Sequence, residues 1–487
     1  MSNISLKRIS LKRIDTCLYE IPKHDKMRVP GRIYANANTL NDLYEDECLQ
    51  QVINVAHLPG IVGYSLAMPD IHWGYGFPIG GVAAMDFEEG VITPGGIGFD
   101  INCGVRLIRT DLQLEQIQPH IHDIVNQLFS NIPSGLGSKN RLRLNANELC
   151  QILSKGAAWT VSQGYTDKET LEYIESKGTM PNADPDVISS RAMERGLNQI
   201  ATLGSGNHFL EIDIIDEIYD QKIANVLQLS KNQVMFQVHT GSRGLGYQIC
   251  EDYIKKMTKA MKKYNIEVPD KQLCCAPIQS PEGQEYLSAM ACAANFAFVN
   301  RQMIQYYIQE TMLHALGFTP NELNMTLIYD ICHNIGQIEE HTFQGVQRKV
   351  LVHRKGATRA FGPHHPTLPN SYKIIGQPVL IPGDMGRYSF LLVGTQKAME
   401  ETFGSACHGA GRKLSRGQAL KQFKSRNLRQ EFKEKGIVVR DGSKDGKGLY
   451  EEISEAYKDV EDVVDIMQDS GICKKVVRLR PIGVIKG

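Results

Sequence analysis

The sequence lacks the long apolar runs that cross membranes. No stretch of about 18 uncharged apolar residues occurs among its 487 residues, and the first residues, MSNISLKRISLKRID, have no apolar centre like that of a secretory signal. We therefore expect a cytoplasmic protein with no membrane partner. A long linker rich in proline, glycine and serine is also missing, which favours one compact body over two separable domains.

An excess of either charge is absent as well. The 54 basic and 54 acidic residues cancel, so the net charge gives no indication of a nucleic-acid partner. The eleven cysteines are irregularly spaced and odd in number, and no secretion signal accompanies them, so we do not expect a disulfide framework. With 42% hydrophobic and 22% charged residues, the composition is that of an ordinary globular protein.

Positive charge is nevertheless concentrated in one segment. Between residues 408 and 447, twelve basic residues stand against four acidic ones, a net charge of +8. This concentration is sufficient for contacts with a phosphate backbone, although a solvated helix surface would give the same pattern. The acidic segment 451–469 that follows predicts an amphipathic helix, and its inner face would carry Ile453, Tyr457, Val460, Val464 and Met467.

The remaining patterns predict a mixed α/β fold. Strand-like apolar runs occur at 234–238, 325–329 and 390–393, and helical periodicity extends over 284–317 to a glycine. The pentapeptide ISLKR occurs twice, at 4–8 and 9–13. We expect a single domain over 1–487 in which mixed β-sheets surround a central cleft, residues 1–13 are flexible, and the first strand follows the second copy of the repeat.

The segment GIGFDINCGVR at 96–106 places a carboxylate and a thiol three residues apart between glycines. Asp100 and Cys103 held in this way can bind one or two divalent metals, since glycines let the backbone approach a ligand closely. The alternative is that Cys103 is a small buried apolar residue and Asp100 belongs to a turn. This segment alone does not choose between the two.

Four histidines share a setting at the edge of a glycine-rich loop or the end of a strand, namely His208, His239, His333 and His408. Together with Asp100 and Cys103 they favour one shared site. His72, in PDIHWGYGFPIGG, is a further candidate. One cysteine, one aspartate and three histidines suggest zinc by ligand chemistry, while a thiolate can also bridge two metals that clamp a phosphoryl group. The metal stays open at this point.

Glycine-rich loops accompany these residues. GSGN at 204–207, GSRGLG at 241–246 and HGAG at 408–411 offer backbone N–H groups to phosphate oxygens, and Arg243 and Arg412 lie within or beside two of them. None matches a P-loop or dinucleotide-binding pattern, so each alone is a weak signal. In PGDMGRYS, Asp384 offers a carboxylate that can bind the edge of a nucleobase.

Several motifs in order resemble those of the RtcB family of GTP-dependent RNA ligases. They are GIGFDINCGVR, LGSGNHFLE, HTGSRGLG, ICHN, PGDMG, HGAGRKLSRGQA and RPIGVIKG, and the resemblance covers about residues 56–487. It implies an enzyme that joins RNA 2′,3′-cyclic phosphate or 3′-phosphate ends to 5′-hydroxyl ends, in tRNA splicing or RNA repair. It also implies GTP and two manganese ions as cofactors, in place of the zinc that ligand chemistry suggests.

Carried over position by position, the resemblance assigns residue roles. Asp100, Cys103 and His208 would hold one manganese; Cys103, His239 and His333 would hold the second; and His408 would be the nucleophile that takes GMP from GTP. The resemblance further implies guanylate contacts from Asn207, His208, Phe209, Leu210, Glu211, His333, Asn334, Pro382, Gly383, Asp384, Met385, Ser389, His408, Gly409, Ala410, Gly411 and Lys486.

The resemblance leaves the substrate open. Paralogues with the same motifs repair ribosomal RNA or cap DNA 3′-phosphate ends, and part of the family has an activating helper protein. Two other hypotheses stay beside it: a metal-dependent phosphoesterase without ligase activity, and a non-catalytic RNA-binding relative. The second is disfavoured because an inactive descendant is expected to lose ligands, and every ligand position is filled here.

Overall fold

The computed structural model describes residues 9–140, 142–443 and 446–487. The first copy of the ISLKR repeat lies outside these residues. In the second copy, Lys12 and Arg13 pair with Glu20 and Tyr19 on an antiparallel neighbour, so these two residues have a defined place at the edge of a sheet.

The described residues form 19 strands. In chain order they are β1 (Lys12–Asp15), β2 (Leu18–Ile21), β3 (Gly31–Tyr34), β4 (Ile61–His72), β5 (Ile79–Asp86), β6 (Val91–Ile92), β7 (Gly104–Gln113), β8 (Phe209–Ile218), β9 (Gln233–Thr240), β10 (Ala276–Pro277), β11 (Thr326–Cys332), β12 (Asn334–Phe343), β13 (Val346–Lys355), β14 (Ala357–Arg359), β15 (Pro378–Ile381), β16 (Ser389–Gly394), β17 (Ser405–Cys407), β18 (Val438–Asp441) and β19 (Cys473–Lys486).

Two large mixed sheets dominate the fold. The first has the order β1-β2-β3-β4-β5-β13-β12, and the second has the order β11-β7-β9-β8-β19-β16-β15 with β18 added beside β19. Most neighbours are antiparallel, but β3 with β4 and β18 with β19 are parallel. Two small pairs, β10 with β6 and β14 with β17, complete the described strands. The prediction of a mixed α/β fold is confirmed, and the runs predicted as strands lie in or overlap β9, β11 and β16.

The described residues also form 16 α-helices. They are α1 (Leu40–Glu45), α2 (Cys48–Val55), α3 (Leu114–Ile117), α4 (Ile121–Asn131), α5 (Ala146–Lys155), α6 (Ala158–Ser162), α7 (Ser190–Gly196), α8 (Gln221–Val226), α9 (Arg243–Lys263), α10 (Pro281–Leu316), α11 (Pro320–Leu323), α12 (Gln396–Glu401), α13 (Arg416–Phe423), α14 (Leu428–Glu434), α15 (Gly448–Glu451) and α16 (Val460–Asp469). None of these helices combines the length and the hydropathy that a membrane span requires.

Helix α10 is the long helix that the sequence predicts over 284–317. Ser280 caps its start by accepting a hydrogen bond from the Gly283 N–H, and Gly317 ends it in the left-handed conformation with φ of 66°. The helix packs against α4, α5 and α9 and reaches β9 of the second sheet. Its middle is buried on all sides, which explains its high alanine and methionine content.

The helix predicted over 451–469 is shorter than expected. Regular α-helix begins only at Val460, where Asp459 caps it, and a separate turn of 3-10 helix precedes it at 454–456. Before that turn, Glu452 is buried and accepts hydrogen bonds from Arg412 and Arg416. Four of the five residues predicted on the inner face are buried; the fifth, Tyr457, is half-buried.

Candidate active site

Asp100 and Cys103 lie on a tight turn that leads into β7. The Cys103 N–H donates to the Asp100 carbonyl at 2.9 Å, and Asn102 between them is left-handed, with φ of 53°. The turn directs both side chains toward His208, which stands just before β8. The Asp100 Oδ2 to His208 Nε2 distance is 2.9 Å, and the Cys103 Sγ to His208 Nε2 distance is 3.3 Å.

The other two histidines approach the same sulfur atom. His239 lies in β9 opposite Val105 of β7, and its Nε2 is 3.3 Å from Cys103 Sγ. His333 stands between β11 and β12, and its Nε2 is 3.2 Å from His239 Nε2. Cys103 thereby belongs to two groups of three that could hold a metal, one with Asp100 and His208 and one with His239 and His333. The structure brings all five sequence-predicted ligands together.

The electrostatics of this cluster suit a cation. Burial, reinforced by neighbouring histidines, lowers the pKa of His239 and His333 well below the ordinary value, so both rings are neutral and offer lone pairs. Burial and the Asp100 charge raise the pKa of Cys103. At Asp100, burial is outweighed by the hydrogen bond and charge of His208, and the pKa is lowered. A thiol, a carboxylate and three imidazoles fit a divalent metal.

His408 stands directly after β17, beside the cluster. Its ring centroid is 4.8 Å from that of His333. Its Nδ1 lies 2.6 Å from Oδ2 of Asp70 on β4, and its backbone N–H donates to the same oxygen at 3.0 Å. Since a carboxylate only accepts, Nδ1 carries a proton, and in the neutral ring Nε2 is the nitrogen with a free lone pair. The sequence reasoning missed Asp70, although it lies two residues before the suspected His72.

The loop after His408 requires glycine where it touches β4. A Cβ on Gly411 would lie 2.3 Å from the Asp70 carbonyl oxygen, and the residue has φ of 75°. A side chain at this position would therefore push the loop away from the carboxylate that holds His408. The backbones of β4 and of the loop after His408 are therefore in close contact.

A cavity of about 270 Å³ opens in front of His408. Both sheets line it, the first through β4, β5 and β12 and the second through β8, β9 and β19. Among the sequence-predicted site residues, its walls include Asn207, Phe209, Glu211, His239, His333, Asn334, Pro382, Gly383, Asp384, Met385, His408, Gly409, Ala410, Gly411 and Lys486. The predicted cleft between mixed sheets is therefore present.

Three predicted guanylate-binding residues do not line this cavity: His208, which belongs to the metal-binding cluster, Leu210 and Ser389. Leu210 follows Phe209 on β8, and since strand side chains alternate, it packs into the main hydrophobic core. Ser389 lies behind the wall, where its hydroxyl accepts from the Gly383 N–H at 3.2 Å and from Gln237 Nε2 at 3.2 Å. Its place in the structure is to support the loop that carries Gly383.

Comparison with known proteins gives one consistent result. The sequence model described as tRNA-splicing ligase RtcB matches residues 51–487, which include every residue of the cluster and the cavity wall. The chain belongs to the RtcB family. A protein named tRNA-splicing ligase RtcB from Thermococcus kodakarensis is 51% identical over 480 residues, covering 98% of this chain and 99% of the relative.

Other RtcB relatives match over a similar extent. Proteins with the same name from Methanococcus maripaludis and Archaeoglobus fulgidus are 51% and 49% identical, over 472 and 479 residues. These alignments cover 96% and 98% of this chain and 98% and 99% of the relatives. The family resemblance inferred from the motifs is confirmed.

The cavity wall of this RtcB chain also contains charged residues that motif reasoning did not assign. Glu452 accepts from Arg412 Nη1 at 3.0 Å and from Arg416 Nε at 2.7 Å. Arg412, expected to contact phosphate, is thus already paired within the protein. The sequence around Glu452 did not indicate a site residue, because Glu452 lies near the start of an acidic run that resembles an ordinary helix surface.

Glu211 and Lys486 are buried on the second-sheet side of the cavity. Burial raises the pKa of Glu211 well above its ordinary value, with a further contribution from Asp213. Burial lowers the pKa of Lys486, and the charges of Glu452 and Glu211 oppose that shift. Polar groups held this deep in a wall are suited to recognising a ligand that excludes water.

A second, basic groove of about 980 Å³ also reaches the cluster. It opens on Asp100 and His208, and its cationic residues are Lys139, Arg191, Arg195, Arg243 and Arg416. Only the last belongs to the basic segment 408–447 singled out from the sequence. In that segment Arg426 pairs with Glu431 and Glu455, while Lys421, Lys424, Arg429 and Lys433 are exposed.

Proposed function

We propose that the protein is an RNA ligase that joins RNA 3′-phosphate or 2′,3′-cyclic phosphate ends to 5′-hydroxyl ends, and that it acts in tRNA splicing in the cytoplasm. The name of its relatives, tRNA-splicing ligase, agrees with this activity. The observation that carries the proposal is His408, which a buried carboxylate orients beside a metal-binding cluster at the wall of a nucleotide-sized cavity.

His408 is the proposed nucleophile toward GTP. Its Nε2 lone pair attacks the α-phosphorus, a P–N bond forms, and the bond to pyrophosphate breaks. The ring becomes more positive as the bond forms, and the Asp70 carboxylate at 2.6 Å from Nδ1 stabilises that charge. The second contact of Asp70, to the His408 N–H, keeps the ring in one orientation.

We propose that the cluster holds two manganese ions. Asp100, Cys103 and His208 would bind one, and Cys103, His239 and His333 the other, with the sulfur shared. When bound, the metals supply positive charge that neutralises the phosphates during transfer. The family resemblance supports manganese; the donor set alone suggests zinc.

We assign guanine recognition to Glu211 rather than to Asp384. Guanine presents two N–H donors on one edge, which a carboxylate can accept together, and accepting them would favour the ionised form of Glu211 against the effect of burial. Asp384 is already engaged by Ser454, by the Gly386 N–H at 3.0 Å and by Arg387 Nε at 3.3 Å. Glu211 has one weak donor, Gln237 Nε2 at 3.4 Å, so it has capacity left for a ligand.

We place the RNA in the basic groove, because Asp100 and His208 of the cluster are among the residues that line it. There the 3′-phosphate attacks the guanylate on His408, the P–N bond breaks, and the RNA end becomes activated. The 5′-hydroxyl then attacks the activated phosphorus and releases GMP. Binding to phosphates through arginine and lysine is expected to weaken steeply as salt rises.

Covalent labelling tests this proposal. Incubation with GTP labelled at the α-phosphate and with Mn²⁺ should label the protein, and His408→Ala should abolish the label. His120→Ala is the matched control, since His120 is exposed and outside the cavity. Phosphate release from RNA ends without any labelled protein would identify a phosphoesterase instead. Ligation by the purified chain alone would show that it needs no helper protein.

A further inference from the structure

The metal-binding turn is held from behind by helix α10. Asn102, the residue between Asp100 and Cys103, is fully buried and adopts the left-handed conformation that residues other than glycine rarely take. Its side-chain Nδ2 donates to the Ala294 carbonyl at 2.7 Å, and its Oδ1 accepts from Arg301 Nη2 at 3.0 Å. Two residues of α10 therefore fix this unusual conformation.

Arg301 also connects two ligand-bearing segments to each other. Its Nη1 donates to the Asn102 carbonyl at 2.9 Å and to the Thr240 carbonyl at 3.0 Å. Thr240 directly follows His239 on β9, and Asn102 directly precedes Cys103. One buried guanidinium thus fixes the spacing between the turn and the strand that both contribute to the cluster.

Charge balance alone does not explain Arg301. It binds Asp330 through Nε and Nη2, but Arg106 Nε binds the same carboxylate at 2.7 Å, and all three side chains are fully buried. Two arginines face one aspartate, so one arginine would suffice to neutralise it. Arg106 makes its other hydrogen bonds to Gln302 and Gln305, whereas those of Arg301 go to the two segments that carry the ligands.

The space around Arg301 is adapted to this arrangement. A Cβ on Gly104, the residue after Cys103, would lie 3.0 Å from Arg301 Nη1 and 2.1 Å from the Ile331 carbonyl oxygen. The absence of a side chain at this position lets the guanidinium reach the backbone of the turn. The glycine of the opening motif therefore makes room for an arginine that lies about two hundred residues later in the chain.

We propose that Asn102 and Arg301 are positioning residues that hold Asp100, Cys103 and His239 in metal-binding geometry before a metal arrives. The inference rests on the metal site of the proposed function, and it is independent of GTP and RNA. Without the two residues, binding would have to order the turn as well, so the affinity for metal falls. Loss of a residue that supports metal ligands typically weakens binding by about 10- to 100-fold.

Metal titration of the full chain tests the inference. Mn²⁺ affinity is measured by calorimetry, and Co²⁺ is used as a probe because its bond to a thiolate absorbs visibly. Arg301→Gln and Asn102→Ala should each bind about 10- to 100-fold more weakly and show less absorption at a fixed Co²⁺ concentration. Asn102→Gly should lose less than Asn102→Ala, because glycine takes the left-handed conformation without strain.

The matched control is Asn295→Ala. Asn295 lies on the same helix and is equally buried, but it bonds to the Leu153 carbonyl at 2.7 Å and to the Met180 N–H at 2.7 Å, away from the cluster. This variant should melt at a lower temperature and bind Mn²⁺ like the wild type. In the Asn102 and Arg301 variants, raising Mn²⁺ to saturation should restore guanylation, which a general folding defect would not allow.

Wild-type metal affinity in Arg301→Gln and Asn102→Ala, or an equal loss in Asn295→Ala, would overturn the inference. If Arg301→Gln does not fold, the comparison of Asn102→Ala with Asn102→Gly decides. A wild-type chain that binds no metal contradicts the proposed metal site itself. A wild-type chain that binds metal, with variants that bind equally well, contradicts only the positioning role.

Discussion

Replacing Asp70 with asparagine tests whether the charge of this residue, in addition to its hydrogen bonds, prepares His408 for attack. Asp70 Oδ2 accepts both from Nδ1 and from the backbone N–H of His408. An asparagine must therefore turn its carbonyl oxygen toward these two donors, because its NH₂ group would face the backbone N–H. Asp70→Asn should retain the ring orientation and lose the negative charge.

The size of the effect follows from the difference between the two kinds of hydrogen bond. A bond to a charged group contributes about 1.5–3 kcal/mol, and a neutral bond about 1 kcal/mol. The difference of about 0.5–2 kcal/mol corresponds to guanylation that is about 2- to 30-fold slower. Asp70→Ala removes both bonds and frees the ring, so it should be slower still.

The assay is the single-turnover rate of label transfer from GTP to the protein at saturating Mn²⁺. Asp216→Asn is the matched control, because Asp216 pairs with Arg478 away from the cavity and its loss should leave the rate unchanged. Circular dichroism and the melting temperature check the fold of each variant. The rate is compared at saturating GTP so that binding does not enter.

Two results would refute this reasoning. A rate for Asp70→Asn within twofold of the wild type would show that the charge does not contribute. Equal rates for Asp70→Asn and Asp70→Ala would show that the amide does not hold the ring, so the dual contact seen for Oδ2 would not restrain His408.

Three further predictions concern backbone contact, stability and metal binding. Gly411→Ala should slow guanylation about 100-fold, because its Cβ would lie 2.3 Å from the Asp70 carbonyl oxygen and displace the loop. The rate of protein labelling measures this effect, and a rate near that of the wild type would contradict the prediction. Burial raises the pKa of Asp213 to about 8 in the folded protein, whereas its pKa in the unfolded chain is about 3.9. Between these two pH values the native state binds more protons than the unfolded state, so the free energy of unfolding falls as pH rises. Asp213→Asn should remove that part of the decline in melting temperature between about pH 5 and pH 8, and an unchanged decline would assign it to other groups. Mn²⁺ affinity should rise about tenfold per pH unit near neutrality, because Cys103, whose pKa is raised, must release one proton to bind metal, whereas His239 is already neutral. Calorimetry at several pH values measures this dependence. An affinity that does not change with pH would exclude the thiolate as a ligand.

The parts of the fold that follow from local pattern were predictable. The helix over 284–317 ends at Gly317 because only a residue that accepts the left-handed conformation can close it there, and the sequence displays that glycine. The strand at 234–238 likewise follows from a mostly apolar run, because every residue of β9 is buried in the second sheet. The residue pattern alone indicated Asp100 and Cys103 as candidate metal ligands, and the family resemblance implied that they are ligands.

The parts that depend on distant pairing were not predictable in the same way. Asp70 and His408 are 338 residues apart, and no spacing rule relates a carboxylate on one strand to a histidine that follows another. The helix predicted over 451–469 begins only at Val460, and no local pattern indicates that Glu452 pairs with Arg412 and Arg416, 40 and 36 residues earlier in the chain. The sequence pattern predicted RNA contact by the basic segment alone. It gave no indication of Arg191 and Arg195, which line the basic groove only once the chain has folded.

The position of β19 has a consequence for how the protein is assayed. This strand, late in the chain, lies between β8 and β16 in the middle of the second sheet, and its pairing of Lys486 with Phe209 completes one wall of the cavity. The first sheet supplies Asp70, which binds the ring of His408 at the cavity wall. In a chain that has not inserted β19, the second sheet is interrupted and the cavity lacks part of its wall. The amplitude of GMP labelling should therefore count fully folded molecules, and a destabilised variant would show a smaller burst at an unchanged rate.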